Sequence, residues 1–271
     1  QVKLDSIMLW QSDLTATDFR QADLSRADLR EAILTGTNLK LAKLCRADLR
    51  QANLLEANLD QTTFQGALYD PLTLLPPDFD PVAAKLYLIA PKAKLAQADL
   101  SSADLSGADL RGADLQSANL SQTILFGCDL SEANLSQANL SAANLTFANL
   151  SWANLKAANL HRADLSCASF QSANLLSANL DATQVQQTNF RQAICDPATC
   201  FPAGLRISNL NLCWIEPWAT LNCANLSRAN LSGVNLSSAD LSEAVLSGAN
   251  LSGANLSGTN LSGTNLSSAN L

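Results

Sequence analysis

A single histidine, His161, serves all 271 residues, and it follows a leucine with no nucleophile pattern beside it. The chain has no G-x-G-x-x-G, no P-loop, no histidine cluster, and no C-x-x-C pair among Cys45, Cys128, Cys167, Cys195, Cys200, Cys213 and Cys223. These absences weigh against catalysis, a cofactor, a metal centre or a small-molecule substrate. Basic residues are scarce: 17 stand against 24 acidic ones, for a net charge of -7, which argues against direct nucleic-acid binding. No apolar stretch approaches the ~18 residues that a membrane helix needs. Leu86 to Ala90 is typical of the short ones, and a soluble chain is expected. Cysteines odd in number and without a pairing pattern favour a reducing compartment such as the cytoplasm. The chain opens on Gln1 and shows no signal peptide; a leader removed upstream would instead place it in a periplasm or a thylakoid lumen.

What is abundant is one five-residue pattern. From Leu95 through Phe190 every fifth residue is apolar: seventeen Leu, two Phe and Val185. Two residues before each sits something small, sixteen Ala, three Thr and Cys128 between Ala93 and Thr188, and Asp or Asn usually lies between the two series. On an α-helix, steps of five turn about 140° each, so the leucines would spiral round the axis. On one flat strand, successive fifth residues alternate sides and half would face water. A chain that turns a corner every five residues aims every Ala and Leu at one interior. Stacking such turns gives a parallel β-solenoid whose segments bond to their equivalents above and below. In that register Cys128 takes a small inward slot and Cys195 a leucine slot, both as core fillers.

Period alone leaves the number of sides open. Ala-Asp-Leu-Ser-Gly at 103 to 107 and Ala-Asn-Leu-Ser-Gln at 133 to 137 resemble the pentapeptide-repeat family, and the resemblance, to cyanobacterial-type members, covers almost the whole chain. It implies an all-β fold, a right-handed quadrilateral parallel β-helix with four pentapeptides per coil. For function it implies a non-enzymatic interaction surface or scaffold. The alternative it carries is a DNA mimic that binds a type II topoisomerase such as gyrase. Charge tests that alternative: ~55 Å of B-DNA presents roughly 32 phosphates, against a net charge of -7 here. Asp99, Asp104, Asp109 and Asp114 also fall on four successive faces instead of one stripe. Carboxylate pairs such as Asp104 and Asp109 arise from the repeat itself.

Repeat blocks 2–69, 93–195 and 219–271 read as one elongated solenoid domain over 1–271, interrupted by excursions at 70–92 and 196–218. The blocks hold 14, 21 and 11 repeats, 46 in all, or about 11.5 coils and roughly 55 Å of rod at ~4.8 Å per coil. In the first excursion Asp80-Pro81, followed by Val82 to Ile89, reads as an N-cap and a short helix. The sequence 67–76 recurs at 193–202, placing Asp70-Pro71 and Asp196-Pro197 at equivalent exits, each with a Thr three residues after the Asp. These motifs read as exit turns or as a pair of binding loops. Phe147 and Trp152, two residues after Leu145 and Leu150, point outward, and Phe126 lies near the corner of Phe147 one coil away. These three form a candidate protein-contact patch. The last block shows no cap at Leu271, which predicts end-to-end self-association.

Overall fold

The computed structural model describes residues 2–271, which divide into two compact units, one up to Ala98 and one from Asp99 to Leu271. In both, each pentapeptide is a three-residue extended segment followed by a two-residue corner, and segments twenty residues apart pair in parallel. One repeat shows the wiring. Leu105 N–H donates to the Ile124 carbonyl at 2.8 Å and Ile124 N–H to the Ala103 carbonyl at 2.9 Å, while Ala108 N–H closes the corner on Leu105 at 3.0 Å. The second corner residue takes a left-handed conformation, φ 60° at Gln97 and 66° at Gly107, a strain that L-residues normally avoid. It is held because that residue's N–H also donates to the next coil, as Gly107 does to Phe126 at 2.8 Å.

The residue between Ala and Leu has its own task. Asp104 Oδ1 accepts the Ser106 N–H at 3.0 Å, a side-chain cap on the following corner that Asn can also supply. Asn adds a donor. Along one column the Asn119 amide donates to Asp99 at 3.2 Å, Asn139 to Asn119 at 3.3 Å and Asn159 to Asn139 at 3.3 Å. Carboxylates stacked one coil apart would repel, whereas Asp at the foot and Asn above bond throughout. Asn134 over Asp114, Asn149 over Asp129 and Asn260 over Asp240 repeat the order. Thr in the small inward slot is likewise paired: Thr123 Oγ1 donates to the Leu100 carbonyl at 2.9 Å while fully buried.

In the first unit, Leu24 through Leu54 form a sealed leucine column, and Leu4, Leu9, Leu14 and Phe19 of the first coil are half-buried against it. Strand β1 (Leu68–Tyr69) pairs in parallel with β2 (Tyr87–Leu88). Between them the expected short helix is replaced by a single turn. Asp80 accepts the N–H groups of Val82 and Ala83 as a cap should, but the run ends where Leu86 N–H meets the Pro81 carbonyl at 2.9 Å. Leu86 is buried and Tyr87 is recruited opposite Leu68, so the ladder overrides local helical preference.

One charged cluster on this unit yields a pH prediction. Arg30 lies 2.7 Å from Asp28 and 3.7 Å from Asp48, which Arg50 holds at 2.6 Å. Burial works against the Asp28 charge, but the Arg30 side-chain and backbone donors with the nearby Arg30 and Arg50 cations outweigh it, leaving its pKa lowered. A lowered folded pKa means stabilisation that is complete above the unfolded value of ~3.9 and lost as pH falls through the folded value. The urea-midpoint gap between wild type and Asp28→Asn should therefore be full at about pH 6 and close towards about pH 2.5. A gap independent of pH would remove the carboxylate from the account.

In the second unit one ladder runs from Asp99 to Cys200, and strand β3 (Ile194–Cys195) pairs with β4 (Cys213–Trp214) in the last coil. The excursion between β3 and β4 holds one 3-10 turn, Ile207–Asn209. A new ladder then starts at Thr220 and continues to Asn270. The expectation of one continuous stack through the last block needs correcting here. Block 219–271 does not sit on top of the preceding coils but lies beside them. Arg228 is 3.7 Å from Glu132, Asn174 Nδ2 donates to the Asn230 carbonyl at 3.0 Å, and Lys156 Nζ to the Ser232 carbonyl at 3.2 Å. Glu132 and Arg228 each precede their segment, and Lys156 and Ser232 each follow theirs, so the facing segments run the same way. Two coils of one hand that face each other with parallel segments must have opposite axes. The chain has folded back.

Candidate functional site

Phe126 and Phe147 sit on one corner of the second unit, 48% and 58% exposed. Their rings meet edge to face at 5.7 Å and 70°, a favoured aromatic geometry. Gly127 occupies the corner slot one coil below Phe147, and a Cβ placed there would meet nothing within 4 Å. Ile124, 42% exposed, extends the apolar surface on the adjoining face. Trp152 occupies the next corner and does not join this pair. It lines a cleft of about 550 Å³ between the face carrying Asn134, Asn154 and Asn174 and the folded-back block.

The cleft has a mixed lining. Glu132 and Arg228 span one margin, both well exposed, an ion pair worth ~1 kcal/mol at most. Ser172 is buried in the wall and its hydroxyl has no partner, an omission that ordinarily costs ~1–3 kcal/mol. Ile194 at the cleft wall and Leu176 beyond it, both in outward slots, are 2% and 1% exposed because they pack into the core of the last block with Cys213 and Ile215.

The two Asp-Pro exits are built alike and lie in different units. Asp70 Oδ1 accepts N–H groups from Gln51 at 3.0 Å and Leu72 at 3.1 Å, and Thr73 Oγ1 sits 2.9 Å from it. Asp196 Oδ1 accepts the Ser177 N–H at 2.9 Å, and Thr199 Oγ1 lies 2.9 Å from the carboxylate and 2.9 Å from the Leu175 carbonyl. Each motif adds one residue to its coil, so Asn53 pairs with Leu74 and Asn179 with Cys200, twenty-one residues on. The Asp carboxylate accepts the corner N–H of the coil below, Gln51 or Ser177, which elsewhere goes to a backbone carbonyl, and Pro71 and Pro197 bring no N–H to the ladder. Pro197 and Ala198 also border the crevice beside Ser232 and Val234, which gives the second exit a neighbour in the folded-back block.

Among the described residues no three His, Cys, Asp or Glu side chains converge as a metal site, and no helix is long and apolar enough to cross a membrane. His161 lies at a corner, 3.4 Å from Asp181. Burial pushes the Cys195 thiol up to about 12 and raises that of Cys213, so both stay protonated at neutral pH.

Comparison with curated proteins finds no match. Among solved structures, the chain is similar to HetL, a pentapeptide repeat protein involved in heterocyst differentiation regulation from the cyanobacterium Nostoc. Identity is 30% over 99% of this chain and 88% of HetL, with a TM-score of 0.35. It is similar to alr5209, a pentapeptide repeat protein also from Nostoc, at 34% identity over 43% of this chain and 84% of that one, TM-score 0.17. QnrB1, a plasmid-mediated fluoroquinolone resistance protein, matches at 13% identity over 79% of this chain and 92% of its own, TM-score 0.41. The profile of pentapeptide repeats matches in eight copies over residues 12–51, 37–67, 93–131, 123–161, 153–192, 218–248 and 244–271. With five-residue segments pairing twenty residues apart along both units, this chain belongs to the pentapeptide-repeat family.

Proposed function

We propose that the protein is a non-enzymatic interaction scaffold that presents the Phe126–Phe147 corner to a protein partner. The observation that carries this is two phenylalanines in edge-to-face contact, each about half exposed, on one corner of the second unit. Apolar aromatics are where interface energy concentrates, and nothing in the coil's own packing requires them outside. The DNA-mimic alternative requires carboxylates running along the axis. Here the columns pass from Asp99 or Asp114 to Asn, and Asp109 is paired with Arg111 at 2.7 Å.

The test is a Phe126→Ser, Phe147→Ser double variant beside wild type. In quantitative capture from a cyanobacterial lysate, at least one protein should be lost by the variant while the urea midpoint stays within ~0.5 kcal/mol of equivalence. Sedimentation velocity on both proteins separates capture of a partner from self-association through the same corner, which would show as a concentration dependence lost in the double variant. Identical capture profiles would end the scaffold role of this corner.

A further inference from the structure

We infer that the cleft between the Asn134–Asn154–Asn174 face and the folded-back block is a binding site for a small neutral saccharide. Trp152 is the one aromatic among its lining residues, and at 38% exposure its indole offers a flat apolar patch to a ligand. Its other lining residues are hydrogen-bonding side chains of Asn, Ser, Glu132 and Arg228, interspersed with the small or buried apolar Ala133, Ala153, Ala229 and Ile194. Asn134 and Asn154 each commit one amide hydrogen to the rung below, leaving the second available. Ser172 supplies a buried hydroxyl without a partner, and the Arg228–Glu132 pair closes one margin with no net charge.

A ligand suited to this lining has one apolar face and hydrogen-bonding groups round its whole edge. A pyranose ring has that form. Its C–H face covers an indole, and each hydroxyl both donates and accepts, so it can meet amides on one wall and serines on the other. A phosphate would find Arg228 already opposed by Glu132. A flat heteroaromatic would use the indole but leave most of the polar perimeter, Ser172 included, without a partner. The volume of about 550 Å³ accommodates a mono- or disaccharide within the usual range for small-molecule sites. The inference is independent of the Phe126–Phe147 corner, so either can fail alone.

The experiment titrates the full chain with D-glucose, sucrose and N-acetylglucosamine, following tryptophan fluorescence and saturation-transfer NMR, with adenosine and inorganic phosphate as other chemistries. At least one sugar should bind saturably. Trp152→Ala should weaken it by about tenfold or more, Ser172→Ala by a smaller factor, and Trp10→Phe not at all. Matching urea midpoints for Trp152→Ala and wild type keep a loss of binding from being a loss of fold. No saturable sugar binding, or equal binding by Trp152→Ala, overturns the proposal. Saturation by adenosine or phosphate without any sugar does so too.

Discussion

Leu135→Lys should leave the second unit unfolded. Leu135 is fully buried, with Leu115 below and Leu155 above in the same column, both also at 0% exposure. Truncating such a leucine to alanine removes ~2–5 kcal/mol. Lysine removes the same packing and forces an ammonium into a column that offers no counter-charge, a further penalty of several kcal/mol. A domain holds only ~5–15 kcal/mol in total. The protein should partition to the insoluble fraction, or show no cooperative urea transition for this unit. Gln137→Lys is the control: Gln137 is an exposed corner residue with φ 59°, a slot that Lys92 fills elsewhere at φ 60°. It should shift stability by no more than ~0.5 kcal/mol. A soluble, cooperatively melting Leu135→Lys protein would contradict the inward column.

The second large effect concerns Thr199. Its hydroxyl accepts the Asp196 N–H at 3.1 Å and lies 2.9 Å from the Leu175 carbonyl. Valine keeps the shape but strands the Asp196 N–H and removes a donor from the Asp196 carboxylate, while the Leu175 carbonyl keeps the Ala178 N–H at 2.9 Å. At ~1–3 kcal/mol for a buried group left unsatisfied, Thr199→Val should cost ~1–3 kcal/mol in urea unfolding. Thr73 makes the equivalent contacts, with Asp70 N–H at 3.0 Å and Leu49 carbonyl at 3.1 Å, but is less buried. Thr73→Val should therefore cost less, because water can reach the vacated groups. Equal, negligible losses at the two sites would mean that these exits do not anchor the chain and that Asp70 and Asp196 are free for other roles.

The coil was legible because its signal repeats. Five-residue spacing excludes helix and flat strand on geometry alone, and the resemblance supplied four sides. The exits were legible as a duplicated motif, though which hydrogen bonds Asp70 and Thr73 make was not. What escaped was the fold-back. The sequence signs were Leu176 and Ile194, apolar residues in slots that should face water, and the one-residue register shift at Pro217 and Trp218. Isolated outward apolar residues are ordinary on any surface, and only contact across 56 residues, as between Asn174 and Asn230, gives them meaning. The helix expected after Pro81 failed for a related reason: local preference was clear, but Tyr87 answered to Leu68, nineteen residues earlier. The order of Asp below Asn was also in the sequence, visible once residues are aligned by twenties.

Because one coil is twenty residues and the pairing partner always lies one coil away, the gene can change length in only one harmless increment. Losing or gaining four pentapeptides between Leu226 and Leu266 would reproduce every rung, whereas one pentapeptide would rotate all later residues by a quarter turn. The near-identical units Ala-Asn-Leu-Ser-Gly at 249–253 and 254–258 are the kind of tract where replication slippage occurs. Upstream of Arg228 the tolerance ends. Asn230 and Ser232 meet Asn174 and Lys156 at one level of the facing coils, so even a whole coil gained before them would carry them one coil past those partners. Natural length variants of this chain should therefore differ by whole coils, and differ towards the C-terminus.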